Sequence, residues 1–468
     1  KVSCVESVTS PNELISSSQL SPDSAIALDS EEIAFIQFTS GSTGDPKGIA
    51  ISHRCVLANV HAIGDALGAR PDEVTVSWLP LFHDMGLIGC LLTAMYWGTP
   101  LVMITPQHFV KRPEVWLKAI SKYRGTVSPA PNFAYRLCSK LPADRLAGVD
   151  LSTWRSAMNG AEAVHSKTIV EFEAKFRSMG FREEATLPVY GLAESTLAVT
   201  FPPQDRRAPV VLFDTKRLGE GRMEEVREHR EGHFVTELVS VGMPVMGLEV
   251  KIVAQGGLAA SCGEIGELYV RGSSVMEGVW QEQGVSRSCL VDGWLPTGDL
   301  AGIHEGEVYI VGRQKDLIIQ AGRNIYPEDI ESAIREIPSV RKGGVVVFSA
   351  PSAEEGSSDE KIVAVVEVEK GGDAEGLAAV IVQAVQSKTG STLDDIVLVP
   401  PKTVRKTSSG KVRRGDNRAR YVSGELNQSE RSLWKIGTTV APLVLDSLWS
   451  RGRTRVRQFF ATTKGDDE

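Results

Sequence analysis

The sequence predicts an α/β protein. It should have a large N-terminal domain of parallel-sheet layers carrying a β-rich subdomain, then a smaller α+β C-terminal domain. Three observations predict this. Between Ile33 and Phe201, short apolar runs alternate with segments of helical periodicity, the texture of a mostly parallel sheet. After Phe201 the pattern changes to short strand-like runs with turns between them: GLEVKIVA, GELYVRG and VYIVGR. From Lys315 onward, strands and helices alternate again in a compact unit.

Residues 1–30 are rich in Ser, Pro and Asp and read as a loop. IAFIQFT (Ile33–Thr39) reads as a buried strand, followed by a Gly/Ser/Thr loop and a helix from about His53 to Leu67. VTVSWLPL, PLVMIT, GTVSPAP and TLPVYG are the next strand candidates. The uncharged stretch from Met85 to Gln107 is long enough to cross a membrane, for which about 20 apolar residues suffice. Gly98, Thr99 and Pro100 cut it, so it reads instead as a buried helix (about Leu87–Trp97) and a buried strand (Leu101–Ile104). No transmembrane segment is expected.

Residues 202–235 are polar and contain the run RMEEVREHREGH. In the last domain DLIIQ, GGVVVFS and KIVAVVEV read as strands, and PEDIESAIREI and a segment near Glu375–Ser387 as helices. The expected domains are 1–313, with 202–235 as an insertion, then 314–420, then a tail or linker at 421–468. The tail contains LWKIGTTVAPLVLDSLWSRGRTRVRQFF, read as a linker or terminus in preference to an interfacial helix.

Hydrophobic residues make up 42% of the 468 and charged residues 24%, ordinary for a globular protein. The net charge of −8 argues against a nucleic-acid partner, which selects basic surfaces. The 6 cysteines are scattered with no CxxC pair, which suits free thiols in a reducing cytoplasm.

The strongest local signal is TSGSTGDPKG, Thr39 to Gly48. Glycines admit positive φ and close backbone approach, and successive N–H groups in such a turn form an anion-binding nest. Thr39, Ser40, Gly41, Ser42, Thr43 and Gly44 supply that turn and its hydroxyls, and Lys47 adds a positive charge. The loop suits a polyphosphate. It is not G-x-x-x-x-G-K-[ST], so a P-loop ATPase is not predicted.

This loop resembles the phosphate loop of the acyl-adenylate-forming superfamily, which includes acyl-CoA synthetases, nonribosomal peptide adenylation domains and luciferases. Further motifs follow in that superfamily's order: VYGLAEST (Val189–Thr196), PTGDL (Pro296–Leu300), GRQKDLIIQAGRNIYPEDIE (Gly312–Glu331) and KTSSGKVRR (Lys406–Arg414). The resemblance implies ATP and Mg²⁺ as cofactors, and it implies roles residue by residue. Glu194 would hold the metal, with Thr43 beside it. Asp299 would accept the ribose hydroxyls, since a carboxylate takes two donors naturally. Arg313 would lie near the ribose or phosphates. Tyr190 and Gly191 would flank adenine, and NGAEA, with Asn159, Gly160 and Ala161, would line its face. Lys411 would stabilise the charge developing as a carboxylate attacks the α-phosphate. Lys315 would be the hinge about which a mobile C-terminal domain turns. His83, between the acyl and nucleotide sites, would position.

Within the superfamily the chain resembles the fatty acyl-AMP ligases. WLPLFHDMGLIG (Trp78–Gly89), SPAPNFAYRLC (Ser128–Cys138) and the long segment between Glu194 and Gly242 carry that likeness. In that branch the insertion packs on the small domain and disfavours CoA. A fatty acid substrate is therefore implied, with an acyl carrier protein, or a polyketide or nonribosomal peptide synthase carrier domain, as partner. The alternatives are a long-chain acyl-CoA ligase and a non-catalytic nucleotide- or lipid-binding fragment. The fragment reading arises because family members carry a substantial segment before the phosphate loop, whereas Thr39 stands near the start of this chain. Met85, Leu87, Ile88, Leu91, Phe133 and Tyr135 are candidates for lining an acyl tunnel.

Overall fold

The computed structural model describes residues 29–39, 47–204, 206–227, 234–254, 256–320, 323–351, 360–369, 376–407, 411–427 and, for the backbone alone, 455–458. Its large domain is organised around a five-stranded sheet in the spatial order Leu101–Met103, Thr75–Ser77, Val127–Pro131, Ser156–Gly160, Thr186–Pro188. All four pairings are parallel. The expected parallel sheet is present, and four of its strands are buried at every position.

Helices cover this sheet through an aromatic core. Trp78 stacks on Phe109 at 3.9 Å, and Trp116, Tyr135, Trp154, Phe172 and Phe181 continue the cluster edge to face. Edge-to-face geometry places the positive ring edge on a negative ring face. The polar ends are satisfied: Trp116 Nε1 donates to Ser128 Oγ at 2.8 Å, and the Tyr135 hydroxyl donates to the Met158 carbonyl at 2.8 Å.

The expected helix at Leu87–Trp97 is split. Leu87–Leu92 is π-helical and Thr93–Trp97 is α-helical, ended by Gly98 at φ 65°. A Cβ at Gly86 would lie 2.3 Å from the Pro80 carbonyl oxygen, so only glycine admits this approach of the helix start to the preceding loop.

A second sheet pairs Ile33–Thr39 with Lys47–Ser52 in antiparallel fashion and adds Gly278–Gln281 and Gly284–Ser286. Thr39 pairs with Lys47, so the glycine-rich loop closes a hairpin. Ser52 then caps the His53–Ala66 helix by accepting from the Cys55 N–H. The β-rich subdomain is a four-stranded antiparallel sheet of Leu248–Val253, Gly266–Gly272, Leu295–His304 and Glu307–Arg313. The Leu295–His304 strand carries Pro296, Gly298 and Gly302, which hide its strand character from a propensity reading.

The segment 202–235 contains regular structure rather than loop alone. Val210–Asp214 pairs with Val235–Val239, and the Thr215–Gly219 helix lies between them, capped by Asp214 accepting from the Arg217 N–H at 2.9 Å. Its strands can form because Phe213 and Leu238 bury their side chains with Leu218, Tyr309 and Tyr326.

The small domain has a sheet of Val340–Pro351, Glu360–Val368, Asp395–Val399 and Arg455–Gln458. The Pro327–Arg335 and Leu377–Thr389 helices pack one face, and the Arg414–Val422 helix packs the other. That last helix runs through the expected boundary at 420, and Leu426 beyond it is buried. Arg455–Gln458 joins the sheet as a parallel strand within the segment read as a linker. No helix among the described residues is long and apolar enough to cross a membrane.

Phe172 meets Tyr135, Trp154, Phe176 and Phe181 and is 1% exposed. Phe172→Ala should cost about 3–5 kcal/mol through lost burial and the cavity it leaves. Urea denaturation followed by tryptophan fluorescence measures this.

Candidate active site

Parallel strands direct their carboxyl ends to one side of a sheet, and ligands bind in the crevice there. Here that crevice is a cleft of about 2510 Å³ lined by both domains. His83, Asn132, Ala161 and Tyr190 follow the carboxyl ends of successive strands and line it. Thr39 and Lys47 line it from the hairpin; Ser40, Gly41, Ser42, Thr43 and Gly44 lie outside the described residues.

The floor of the cleft is a fixed polar triad. Asp299 and Arg313 are cross-strand partners on adjacent antiparallel strands. Arg313 Nε stands 2.9 Å from Asp299 Oδ1, and the Tyr190 hydroxyl donates to Asp299 Oδ2 at 2.6 Å. Asp299 Oδ1 and Oδ2 are thus both engaged, and a carboxylate has further lone-pair capacity for two more donors. The Asp299 charge raises the Arg313 guanidinium. Burial, then the Asp299 charge, holds the Tyr190 phenol well above its ordinary range. Gly191 follows with no room for a side chain, because a Cβ there would lie 2.0 Å from the Leu197 carbonyl oxygen.

The adenine-loop candidates divide. Ala161, at φ 65°, reaches the cleft. Asn159 is buried behind it and donates to Asn132 Oδ1 at 3.2 Å. Gly160 packs on Val189, where a Cβ would sit 2.8 Å from the Val189 carbonyl oxygen. These two shape the wall from behind.

Glu194 lines the cleft from the Ala193–Ser195 turn, and its carbonyl accepts from the Met276 N–H at 2.9 Å. Burial raises its carboxyl; Arg313 opposes this, and the charges of Asp299 and Asp84 add to it. A carboxylate raised in part by neighbouring negative charge invites a cation. Among the described residues no group of three or more metal-ligating side chains occurs. The donor set therefore fits a hard cation that keeps ligand phosphates and water in its shell, the usual habit of Mg²⁺.

His83 Nδ1 is 2.6 Å from Asp84 Oδ1, which also accepts from the Met85 N–H at 2.7 Å. Burial pushes the Asp84 carboxyl up, but His83, that N–H and the Lys411 charge together hold it below its ordinary range.

Lys411 comes from the small domain. Its hairpin is closed by the Lys406–Val412 bridge, by the Thr407 N–H donating to the Lys411 carbonyl at 2.8 Å, and by the Lys411 N–H donating to Thr407 Oγ1 at 3.1 Å. The charges acting on its ammonium are those of Arg313, Asp84, Glu162 and Asp299, all from the large domain. Burial first, then Arg313, lowers it from the ordinary lysine value, and the three carboxylates oppose the shift. The Gln314–Asp316 turn carrying Lys315 joins the Glu307–Arg313 strand to the small domain. Burial, then Arg313, also lowers the Lys315 ammonium.

Asp84 and Glu162 were not singled out from the sequence, although both lie inside quoted motifs. Glu162 accepts from the Phe133 N–H at 2.6 Å and is raised by burial. Of the six acyl-tunnel candidates, Met85 and Phe133 line the cleft. Ile88 and Tyr135 are instead in the core, at 0% and 2% exposure, and Leu87 and Leu91 do not reach the cleft wall. Gly89, Leu192, Leu197 and Met276 line it in their place.

One buried cation anchors the small-domain side. Arg414 Nη2 is 3.0 Å from Glu328 Oε1 and its Nε is 3.4 Å from Asp316 Oδ2, while Nη1 pairs with Glu331 and donates to the Val347 carbonyl. Glu331 also accepts from the Val347 N–H at 2.9 Å and pairs with Arg335 at 2.6 Å. The hinge turn, a helix, a strand and the Lys411 hairpin thus meet at one guanidinium.

A fold with this cleft, triad and hairpin lysine defines an adenylate-forming enzyme, and the comparisons agree. The profile of AMP-binding enzymes matches residues 2–280, and that of the Disco-interacting protein 2-like AMP domain matches residues 315–431. The chain belongs to the AMP-binding enzyme family and, within it, to the fatty acyl-AMP ligase branch; it is a ligase. It is 35% identical over 418 residues to the medium-chain-fatty-acid–[acyl-carrier-protein] ligase of Moorena producens, covering 86% of this chain and 70% of that one. It is 34% identical over 433 residues to the long-chain-fatty-acid–AMP ligase of Mycobacterium marinum, covering 87% and 73%. A solved structure from work on the fatty acyl-adenylate ligases of E. coli and L. pneumophila superposes with a TM-score of 0.78 at 36% identity, covering 86% of this chain and 72% of that one.

Replacing Arg414 by Ala leaves the buried Glu331 with Arg335 as its one remaining cation and strips the half-buried Glu328 of its partner. Removing one partner of a buried ion pair costs about 3–5 kcal/mol. A separate low-temperature unfolding transition of the small domain is expected by calorimetry, with the large domain's transition unchanged.

Proposed function

We propose that this chain activates a fatty acid with ATP to acyl-AMP and diphosphate, and then passes the acyl group to the phosphopantetheine thiol of an acyl carrier protein. The observation that carries this reading is the placement of Lys411 among Asp84, Glu162, Asp299 and Arg313, with the small domain closed on the cleft. A fatty carboxylate would enter along Met85, Phe133, Gly89 and Leu197. Its oxygen attacks the α-phosphorus, the bond to the bridging oxygen breaks, and diphosphate leaves. Lys411 supplies a positive charge to the oxygens on which negative charge builds, worth about 10²–10³ in rate for one such donor. Asp299 would orient the nucleotide through its ribose, and Arg313, 2.9 Å away, holds that carboxylate in place. Glu194 would hold Mg²⁺, which, when bound, offsets the repulsion between two anionic reactants. In the second step the thiol attacks the acyl carbonyl and AMP leaves.

Acceptor choice follows from the insertion. Leu218 accepts from the Tyr326 hydroxyl at 3.3 Å, and Thr236 donates to Asp329 Oδ2 at 3.3 Å, so the insertion and the Val235–Val239 strand at its end hold the small domain at two points. Phe213, Leu218 and Leu238 also share a core with Leu317 and Tyr326. This restraint favours the adenylating pose over the one a CoA-using enzyme must reach. An acyl-CoA ligase is the competing reading.

Radiolabelled fatty acid, ATP and Mg²⁺, followed by CoA or a holo-acyl carrier protein, test both. Acyl-AMP that resists CoA and moves to the carrier protein is expected; efficient acyl-CoA formation would overturn the acceptor assignment. Lys411→Ala should slow acyl-AMP formation about 10²–10³-fold.

The pH profile carries a signed prediction. Lys411 acts protonated and its ammonium is lowered, so activity is lost as pH rises through a value below the ordinary 10.5. Glu194 acts ionised and burial raises its carboxyl in the metal-free chain, so the acid limb reports protons competing with Mg²⁺ and should move to lower pH as Mg²⁺ is raised. Lys411→Arg should retain a residual rate whose alkaline limb moves up, because guanidinium stays charged. Single-turnover acyl-AMP formation across pH measures both limbs.

A further inference from the structure

Four cations face one another across the seam between the two domains. Arg136 and Lys140 belong to the large domain, at the end of the Asn132–Ser139 helix. Lys342 and Lys406 belong to the small domain, on the irregular stretch between Val340 and Val345 and on the Lys411 hairpin. Lys406 and Arg136 converge on Gly343, which follows Lys342 and has φ 79°: a Cβ there would lie 3.3 Å from Lys406 Nζ and 3.7 Å from Arg136 Nη2. Lys140 faces Lys342 across the seam, and burial with this like-charged neighbour pushes Lys140 down to about 8.

Among the described residues none of the four forms an ion pair. The acids acting on the large-domain pair are Glu162 and Glu171. On the small-domain side Glu331 pairs with Arg335 and Arg414, and Glu367 pairs with Arg341. The field is positive beyond the four: burial, then the charges of Arg335 and Arg136, pushes His165 beside them down to about 4. Arg136, Lys342 and Lys406 line the same cleft as Lys411.

Like charges forced together are destabilising unless an anion lies between them. We propose that this seam is a binding site for a phosphate-class anion that bridges the two domains, distinct from the glycine-rich phosphate loop. The proposal rests on the adenylating function for the source of its ligand. That chemistry supplies two candidates: the diphosphate released in the first step and the phosphodiester of the pantetheine arm. Bound there, either offsets the repulsion and favours the closed pose; its departure frees the small domain to turn.

Calorimetric titration of the full chain with inorganic diphosphate, and separately with 4′-phosphopantetheine against pantetheine, tests this. Two classes of diphosphate site are expected, one at the phosphate loop and one at the seam. In Lys140→Gln/Lys342→Gln the seam class should weaken at least about tenfold, the loss of one or two charge-assisted contacts. Lys342→Arg should keep it, and Lys140→Gln alone serves if the double variant does not fold. Weakened 4′-phosphopantetheine binding with diphosphate unchanged supports the site and assigns it to the pantetheine arm. Both ligands binding the variants as they bind the wild type overturns it. A chain that shows the seam class yet forms no acyl-AMP would refute the activity while leaving the anion site standing.

Discussion

The buried guanidinium of Arg414 is the constraint on which the working geometry depends. A reactive lysine on a hairpin is useful only if the hairpin is held, and a short two-stranded hairpin is marginal alone. Arg414 follows Lys411 closely and ties the hairpin's base to Asp316, Glu328, Glu331 and the Val347 carbonyl. Burial pushes Glu331 up, but Arg414 and Arg335 hold it below the ordinary carboxylate range, so the Glu331–Arg414 pair is a charged one. Because Asp316 lies in the hinge turn, the hairpin and the hinge share one anchor. Rotation of the small domain must then carry Lys411 with it as a rigid unit.

The large domain meets that unit with a second fixed group. Asp299 and Arg313 sit opposite each other in an antiparallel sheet, where register leaves no freedom to separate them. Tyr190 reaches the same carboxylate from just past the end of the parallel sheet. The triad therefore ties the chain leaving the parallel sheet to the four-stranded antiparallel sheet at the cleft floor. Lys411 enters a field of three carboxylates and one guanidinium, attractive enough to hold a cation and incomplete enough to welcome an anion beside it.

Much of this was legible in the sequence, and for physical reasons. Four of the five parallel strands lie inside runs that read as strands, and of those four all but the edge strand Leu101–Met103 are buried throughout. Ser156–Gly160 escaped because SAMNG carries no β-branched residue. The site residues were visible only through motifs whose spacing a resemblance could read. Asp84 and Glu162 stood in those motifs without a stated role, because their meaning depends on Lys411, distant in sequence, arriving beside them. The acyl candidates failed for Ile88 and Tyr135 because apolar character does not distinguish a cavity wall from a core. The four seam cations were invisible in sequence, since each alone is an ordinary surface charge.

Those cations and the insertion act on the same motion with opposite sign. The insertion restrains the small domain through the Phe213, Leu218 and Tyr326 core and through two hydrogen bonds of 3.3 Å. The Lys140–Lys342 contact pushes the same domain away. Apolar burial is insensitive to ionic strength, whereas repulsion between solvent-open cations is screened within about 10 Å at 0.1 M salt. The closed pose should therefore gain population as salt rises, the reverse of an interface held by ion pairs. Lys167 and Glu336 also pair across the seam, at 3.3 Å, and weaken with salt, but a single exposed pair is worth about 0–1 kcal/mol. A small domain clamped by apolar contacts and strained by like charge can be released by the loss of one bound anion, without breaking the Arg414 anchor that keeps Lys411 in register.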